Sequence, residues 1–267
     1  SLKKSCVYPK DVSTLVLLPS KLIYILIIQG ITMNKIKTSI FALAFVFLGS
    51  SIASAEMRIG VSAASTYLSV DGQEDVAATA AGTQLAKTNK KSLDSSIVIP
   101  SIFVEYGDIA GTGLSFGLDY IPLNANLSKD NFSRTDTELS QTGNEAATAV
   151  VHTQSANASI NDHITIYATF PVMGAYIKAG YAHADVETDD NLSTGTKYGD
   201  TSIDGLVLGL GMQGDVGGNG FLRVEGTYTD YDDVNLTGTG QTTGQTANKI
   251  KANLDATAVK LSFGYKF

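Results

Sequence analysis

The side chains that could do chemistry in this chain are charged residues. They lie in segments where apolar and polar residues alternate with a period of two. Arg223 and Glu225, for example, alternate with Leu222, Val224 and Gly226. Such alternation puts charged and apolar residues on opposite faces of a strand. The charged residues predicted to share the inner, polar face are Arg58, Glu105, Asp119, Lys178, Arg223, Glu225 and Lys260.

This charged set has two interpretations. Buried charges persist when they are paired and hydrogen bonded, so the set could be a polar core that fills a narrow barrel. Rings of charge also set selectivity in channels, so it could instead line a constriction for small solutes. Small inward residues such as Gly60, Gly117 and Gly211 could make room for the long charged side chains or leave a thin water path. Because the interior of an eight-stranded barrel is just wide enough for side chains to fill, the filled core is favoured.

Two enzyme-like motifs lack the context that their chemistry needs. Gly113–Gly117 matches G-x-S-x-G, and Gly209–Gly214 matches G-x-G-x-x-G. The first requires a strand, a sharp turn and a helix, and the second requires a following helix. The first motif lies within an alternating segment, and a glycine-rich turn follows the second. Both are therefore interpreted as glycine-rich strand faces.

The histidines give no nucleophile system either. His163 and His183 fall near the ends of neighbouring segments, where they could approach Asp162 and Asp185, but no serine has an activated setting beside them. We therefore expect no catalytic residues and a non-enzymatic protein.

Acidic residues cluster in the predicted loops, at 185–190 and 230–233. Hard cations prefer oxygen ligands, but the spacing has no EF-hand pattern. Solvated loop charge is the favoured interpretation, and the sequence predicts no metal and no cofactor.

Eight segments with this alternation predict the elements that position the charged set. They are Met57–Val70, Ser96–Tyr106, Leu114–Tyr120, Ala156–Phe170, a fifth around Ile177–Tyr181, Leu206–Gln213, Leu222–Thr229 and Val259–Phe267. The links between segments two and three, four and five, and six and seven are short. The other links, around 71–93, 127–155, 186–203 and 232–253, are long and polar. Short turns at one end and long loops at the other are typical of outer-membrane barrels.

Aromatic residues near the ends of these segments predict girdles at the two membrane interfaces. They are Tyr67, Tyr106, Tyr120, Phe170, Tyr181, Phe221, Tyr228, Tyr231 and Phe267.

With these patterns and its last segment, the sequence resembles small bacterial outer-membrane β-barrel proteins of the opacity-protein and OmpA-barrel type. The resemblance rests on the export signal at 33–55, on the strand count, on Tyr176–Tyr181, on Glu225–Tyr231 and on the terminal Phe267. It implies an all-β fold, an eight-stranded antiparallel transmembrane β-barrel with short periplasmic turns and long extracellular loops. It also implies that Phe263, Tyr265 and Phe267 act as an assembly signal for the barrel-assembly machinery.

The N-terminal region predicts export. Residues 33–55 combine a basic start, an apolar run from Ile40 to Leu48 and Ala53-Ser54-Ala55, which is the pattern of a cleavable signal peptide. Residues 1–32 are expected to be an upstream extension that is not native, and 56–267 the barrel domain.

Charge and cysteine content exclude other classes. The chain has 26 acidic and 19 basic residues, and six of the basic ones but only one acidic one precede Glu56. This acidic balance argues against nucleic-acid binding. The single cysteine, Cys6, lies in the upstream extension, so disulfides are not expected in 56–267.

Together these patterns predict a surface protein of the outer membrane. The favoured function is membrane integrity with adhesion or recognition through the loops, and its expected partners are outer-membrane lipid, lipopolysaccharide and an extracellular ligand. The alternatives are a small-solute porin and, less favoured, a lipid-modifying enzyme.

Overall fold

The structure is a computed structural model that describes residues 56–77, 86–126, 132–140, 148–191, 197–239 and 247–267. The predicted signal peptide at 33–55 and the extension at 1–32 lie outside these residues. Within the described ranges, no helix is long and apolar enough to cross a membrane.

Strands make up most of the described chain, with one short 3-10 turn at Ile109–Gly111. The strands are β1 (Glu56–Val76), β2 (Lys87–Gly107), β3 (Ser115–Ile121), β4 (Ala125–Asn126), β5 (Phe132–Ser140), β6 (Thr148–Val172), β7 (Ala175–Asn191), β8 (Thr201–Asp215), β9 (Gly220–Tyr231), β10 (Val234–Thr237) and β11 (Lys249–Lys266).

Eight of these strands form a closed antiparallel ring in the order β1-β2-β3-β6-β7-β8-β9-β11. The ring closes because β11 also pairs with β1, from Arg58 opposite Lys266 to Asp75 opposite Lys249. Closure gives the backbone groups of the first and last strands partners, as hydrocarbon surroundings require. The predicted eight-stranded fold class is confirmed. The shorter β4 and β5 pair with β6, and β10 pairs with β11.

The two ends of the barrel differ, as the loop lengths predict. At the short-turn end, Met173 and Gly174 connect β6 to β7 with φ values of 50° and 83°, the left-handed conformation of a tight hairpin turn. At the long-loop end, the strands run further than predicted. β2 begins at Lys87 and not near Ser96, and β11 begins at Lys249, inside the predicted loop 232–253.

The outer surface of the ring is an apolar belt. Leu206, Leu208 and Leu210 on β8 are 60–66% exposed, although they lie in regular strand. Val259, Leu261 and Phe263 on β11 are exposed to a similar degree. Large apolar side chains that point away from the protein interior are expected where lipid surrounds the barrel.

Two of the aromatic residues predicted for the outward-facing girdles lie on the inner face instead. Phe221 is fully buried and Tyr231 is 7% exposed, so both point into the barrel. The other predicted girdle residues lie on outward positions, among them Tyr67, Tyr181 and Tyr228, each close to half exposed. Closeness to a strand end does not distinguish an inward aromatic residue from one at the membrane interface. The face is decided by whether the residue stands at an odd or an even position along the strand, because successive side chains point to opposite faces.

Candidate functional site

The interior of the barrel toward the short-turn end is organised around the carboxylate of Glu105, which is 1% exposed. Arg223 donates two hydrogen bonds to it, at 2.9 and 3.0 Å. Arg58 donates a third at 2.8 Å, and the hydroxyl of Tyr167 a fourth at 3.1 Å. We call Glu105, Arg58, Arg223 and Tyr167 the Glu105 cluster. Arg58 also donates to a second carboxylate, that of Glu56, at 2.6 Å.

Arg223 reaches across the lumen inside an aromatic enclosure. Its guanidinium carbon lies 5.3 Å from the ring centres of Phe103 and Tyr176 and 5.4 Å from that of Phe221. These distances are within the range of cation–π attraction. Strands β2 and β9, which carry Glu105 and Arg223, are three positions apart in the ring of eight. The ion pair therefore spans the lumen and does not merely follow the wall.

A second buried ion pair lies beside the first. Lys178, 3% exposed, donates to Glu225, 2% exposed, at 2.8 Å. Tyr176 donates to the other oxygen of Glu225 at 2.7 Å. We call these three residues the Glu225 cluster. The ammonium of Lys178 also lies 4.0 Å from the centre of the Tyr167 ring, so the two clusters pack against each other.

The remaining two predicted interior residues form a pair of their own. Lys260 on β11 donates to Asp119 on β3 at 2.7 Å. These strands are also three positions apart in the ring, so this pair is another link across the lumen. The structure thus brings together all seven residues predicted on sequence to share the inner face, in three sets of partners.

Four interior aromatic rings each lie against a glycine; strand alternation puts Phe103 and Tyr167 on the inner face, but the sequence predicted a packing role there for none of the four. The directly opposed cross-strand pairs are Gly60 with Phe103, Gly117 with Tyr167, Gly211 with Tyr176, and Gly264 with Phe221. At each of these glycines, a Cβ atom would collide with the partner ring. The glycines therefore provide room for aromatic rings, and the predicted alternatives of space for charged side chains or a water path are wrong at these positions. An inward aromatic residue opposite an inward glycine is the sequence signal that could have found them.

Replacing Gly211 by alanine is expected to destabilise the barrel by about 1–3 kcal/mol, the usual cost of overpacking. The new Cβ would meet the Tyr176 ring, whose hydroxyl is held by Glu225. Urea unfolding from lipid vesicles measures the change. The matched control is Gly226→Ala, since Gly226 is exposed and has open space around it. Equal stability of the two variants would contradict the proposed packing.

The interior toward the long-loop end has a different character. Its buried residues are mainly apolar, including Leu68, Ile160, Val207 and Leu254. A cavity of about 90 Å³ lies between this apolar region and a polar floor formed by Asp119, Lys178 and Lys260. Most of the cavity lining is apolar, so waters in it would find their hydrogen-bond partners at this floor. The three sets of buried charged partners therefore lie in the short-turn half and the middle of the barrel.

His163 and His183 lie on opposite faces of the wall, and the predicted approach to an aspartate holds for His183 and Asp185, whereas His163 contacts Tyr231 instead of Asp162. His163 points inward, with its Nε2 2.8 Å from the hydroxyl of Tyr231. His183 contacts Asp204 at 2.6 Å and is 3.9 Å from Asp185. The side chain of His152 lies outside the described part of the chain. Among the described residues, no group of three or more His, Cys, Asp or Glu is placed to hold a metal ion.

The residues predicted as an assembly signal lie at the closing seam. Phe263, Tyr265 and Phe267 are 46–69% exposed on the outer face. The rings of Tyr265 and Phe267 meet edge to face at 5.0 Å, and the amide of Phe267 donates to the carbonyl of Met57 on β1. Their role in assembly stays a prediction.

The closed ring, the apolar belt and the paired interior define the class of protein, a small transmembrane β-barrel. No family model and no curated protein matches the chain. Among solved structures, OprG from Pseudomonas aeruginosa is similar at 14% identity and a TM-score of 0.43, over 80% of this chain and 96% of that one. Neisserial surface protein A is similar at 12% identity and 0.36, over 80% and 99%. The outer-membrane protease OmpT from Escherichia coli is similar at 10% identity and 0.39, over 79% and 97%. At these identities the similarity is one of fold alone.

Proposed function

We propose that this protein is a non-enzymatic barrel of the bacterial outer membrane whose lumen is closed and whose long hairpins form a recognition surface. The observation that carries the proposal is the Glu105 cluster. A fully buried carboxylate receives hydrogen bonds from β1, β6 and β9, so side chains from four strands meet in the lumen.

Closure is supported by what surrounds this cluster. Phe103 and Phe221, from strands three positions apart, approach within 6.2 Å between ring centres. Beside them, Lys178 and Tyr176 both donate hydrogen bonds to Glu225 and add a further link between strands. Since eight strands enclose an interior about as wide as its side chains, such links leave little room for a continuous water path.

The recognition role is supported by the ordered extensions at the long-loop end. Beyond Tyr67, β1 continues for nine residues to Val76, paired throughout with β2 and nearly throughout with β11. At about 3.3 Å per residue, this projects the strand by roughly 30 Å along its own direction. The extensions are thus built as a rigid wall.

Polar cross-strand contacts stabilise this wall. Ser92 donates to Asp71 at 2.6 Å. Thr88 donates to Asp75 at 2.9 Å, and this hydrogen bond lowers the pKa of the Asp75 carboxyl. Tyr198, from the connection after β7, donates to Glu74 at 3.1 Å and ties a second hairpin to the first. The wall carries charges of both signs, with Lys90 and Lys91 on β2 beside Asp71 and Asp75 on β1, and such a polar, ordered surface suits recognition of a polar partner.

In planar bilayers, the purified protein is expected to give no steady open current, because the charged residues of the lumen are bound to one another. Single-channel recording measures this directly. A porin, the alternative function, would give a steady current whose ion selectivity changes in the Arg223→Gln variant. A persistent current in the unmodified protein would overturn the closed-lumen proposal.

The display role has a separate test. A variant in which a two-residue turn joins Ser69 directly to Asp94 removes the β1–β2 extension and leaves the membrane belt intact. Cells that carry this variant are expected to adhere less to host surfaces than cells with the full protein at equal surface abundance. Equal adherence would contradict the recognition role of this hairpin.

A further inference from the structure

The four strand pairs that extend to the long-loop end share one repeated feature on the lipid-facing side of the barrel. In each, a tyrosine at the outer edge of the apolar belt hydrogen bonds to an aspartate on the neighbouring strand. Tyr228 contacts Asp255 at 2.6 Å and Tyr120 contacts Asp162 at 3.0 Å. Tyr67 is hydrogen bonded to Asp94, and Tyr181 to Asp204.

The geometry of these pairs repeats around the ring. Tyr67 lies opposite Ser96, Tyr181 opposite Leu206, and Tyr228 opposite Thr257. In each case the aspartate is two residues further out on the partner strand, which is the diagonal neighbour on the same face. Tyr120 lies opposite Ile164 and Asp162 is again two residues further out, although β6 has a bulge between Asn161 and Ile164 and Asp162 has a φ of 47°. The pairs fall on β1–β2, β3–β6, β7–β8 and β9–β11, so every second strand interface carries one.

The pairs mark an abrupt change in the lipid-facing surface. On the belt side of the tyrosines, outward positions are apolar or uncharged down to the last strand residues at the short-turn end. On the far side, acidic residues follow at once, with Asp230 directly opposite Asp255. His183 adds a second contact to Asp204 at 2.6 Å.

The short-turn end also carries exposed aromatic side chains, Phe170, Tyr265 and Phe267, but its described residues show no repeated tyrosine–aspartate pair. Its turns expose apolar side chains, with Met173 fully exposed and Val172 and Val216 more than 40% exposed. The nearby charges of Lys266 and Asp215 bind each other at 2.6 Å. Apolar side chains at the turns lower the cost of a small shift of this end at the membrane interface, whereas a ring of carboxylates resists entry into the hydrocarbon.

We propose that these eight residues, which we call the tyrosine–aspartate collar, fix the height of the barrel in the membrane from one side. The collar fits the headgroup layer of the outer leaflet, with the tyrosine rings at the end of the hydrocarbon and the carboxylates among the headgroups. Each tyrosine would otherwise direct its hydroxyl toward water by itself. Bonding it to a carboxylate ties four points of the circumference to one level, which also limits tilt. A mismatch in bilayer thickness is then absorbed at the short-turn end.

The absence of tryptophan from the chain makes the proposal measurable, because one introduced tryptophan reports depth without background. Val98→Trp places the reporter near the collar, and Met212→Trp places it near the short-turn end. Both positions are exposed to lipid, at 74% and 63%. Quenching by lipids brominated at known depths is measured in bilayers of increasing acyl-chain length. The Val98→Trp reporter is expected to keep its distance from the nearer headgroups, while the Met212→Trp reporter moves away from its own.

The test of the collar itself replaces its four aspartates by asparagine. Asparagine still accepts the tyrosine hydrogen bond but carries no charge, so the strand contacts are kept. The two reporters are then expected to share the thickness change about equally. The control replaces four exposed aspartates further from the belt, Asp71, Asp189, Asp200 and Asp232, and is expected to behave like the unmodified protein.

The outcomes separate this inference from the function on which it rests. It depends on the proposed membrane location and not on a closed lumen. Reporters that are not quenched by any brominated lipid would show that the protein does not insert, which overturns the location as well. If both reporters are quenched but their distances from the nearer headgroups change equally with bilayer thickness in the protein with its collar intact, the role of the collar is overturned and the membrane location stands. Because this last comparison needs no collar variant, the proposal is decided even if the fourfold variant does not fold.

Discussion

Replacing Glu105 by alanine is expected to lower the free energy of unfolding by about 3–5 kcal/mol, the usual cost of removing one partner from a buried ion pair. The change leaves Arg223, 4% exposed, and Arg58 without their shared acceptor. Arg223 keeps the side-chain oxygen of Gln213 as an acceptor at 2.8 Å, but this group is neutral. Urea titration of the protein in lipid vesicles, followed by tyrosine fluorescence or gel mobility, measures the loss.

The control for this variant is Glu187→Ala, which removes the same charge from an exposed position on β7. Surface substitutions of this type usually change stability by less than about 0.5 kcal/mol. If Glu105→Ala cost no more than Glu187→Ala, Glu105 would not be the shared acceptor that holds the two arginines together. The closed-lumen proposal would then lose its main support.

The second large effect is expected from Lys178→Met, which should also cost about 3–5 kcal/mol. Methionine fills most of the volume of lysine but leaves the Glu225 carboxylate buried, with only the Tyr176 hydroxyl as donor. Adding Glu225→Gln removes the uncompensated charge and still offers an oxygen to Tyr176. The double variant is therefore expected to recover most of the lost stability, to within about 1–2 kcal/mol of the original protein.

This double-mutant cycle separates pairing from packing. If the stability losses of Lys178→Met and Glu225→Gln simply add, the two side chains do not interact and the cost of each comes from its own surroundings. A coupling of more than about 1 kcal/mol between them supports a buried ion pair. Lys260→Met provides a comparison, since it breaks the less buried pair with Asp119 and should cost less.

The faces of the eight ring strands could be predicted from the sequence alone. Period-two alternation identifies the lipid-facing set on β8, from Leu206 to Met212, and the inward set on β9, with Arg223 and Glu225. It succeeds because each face of a membrane barrel has one solvent, lipid outside and polar side chains inside, so the two chemistries alternate along every strand. The same pattern, with its alternating loop lengths, predicted the closed antiparallel ring.

The strand ends could not be predicted because that contrast disappears outside the membrane. Between Lys87 and Ser95, most side chains on both faces of β2 are polar, as in Lys90, Lys91 and Ser92. The outer face contacts water here and not lipid, so polar residues occur on both faces and the sequence shows no alternation that would predict a strand. Pairing with β1 keeps this segment in the strand, and that is a tertiary property.

The partners within the interior were also decided by the tertiary structure. Strand parity indicates that Glu105, Arg223 and Glu225 point inward, but not that Glu105 takes two arginines while Glu225 takes a lysine. That choice depends on which residues share a level across the lumen, which follows from the stagger of the strands in the closed ring. The register between neighbouring strands sets Gly211 opposite Tyr176 and Tyr228 beside Asp255. The sequence by itself determined which face each residue occupies, because that depends on neighbours along the chain. The closed ring decided what each residue meets there, because closure brings together strands that are far apart in sequence.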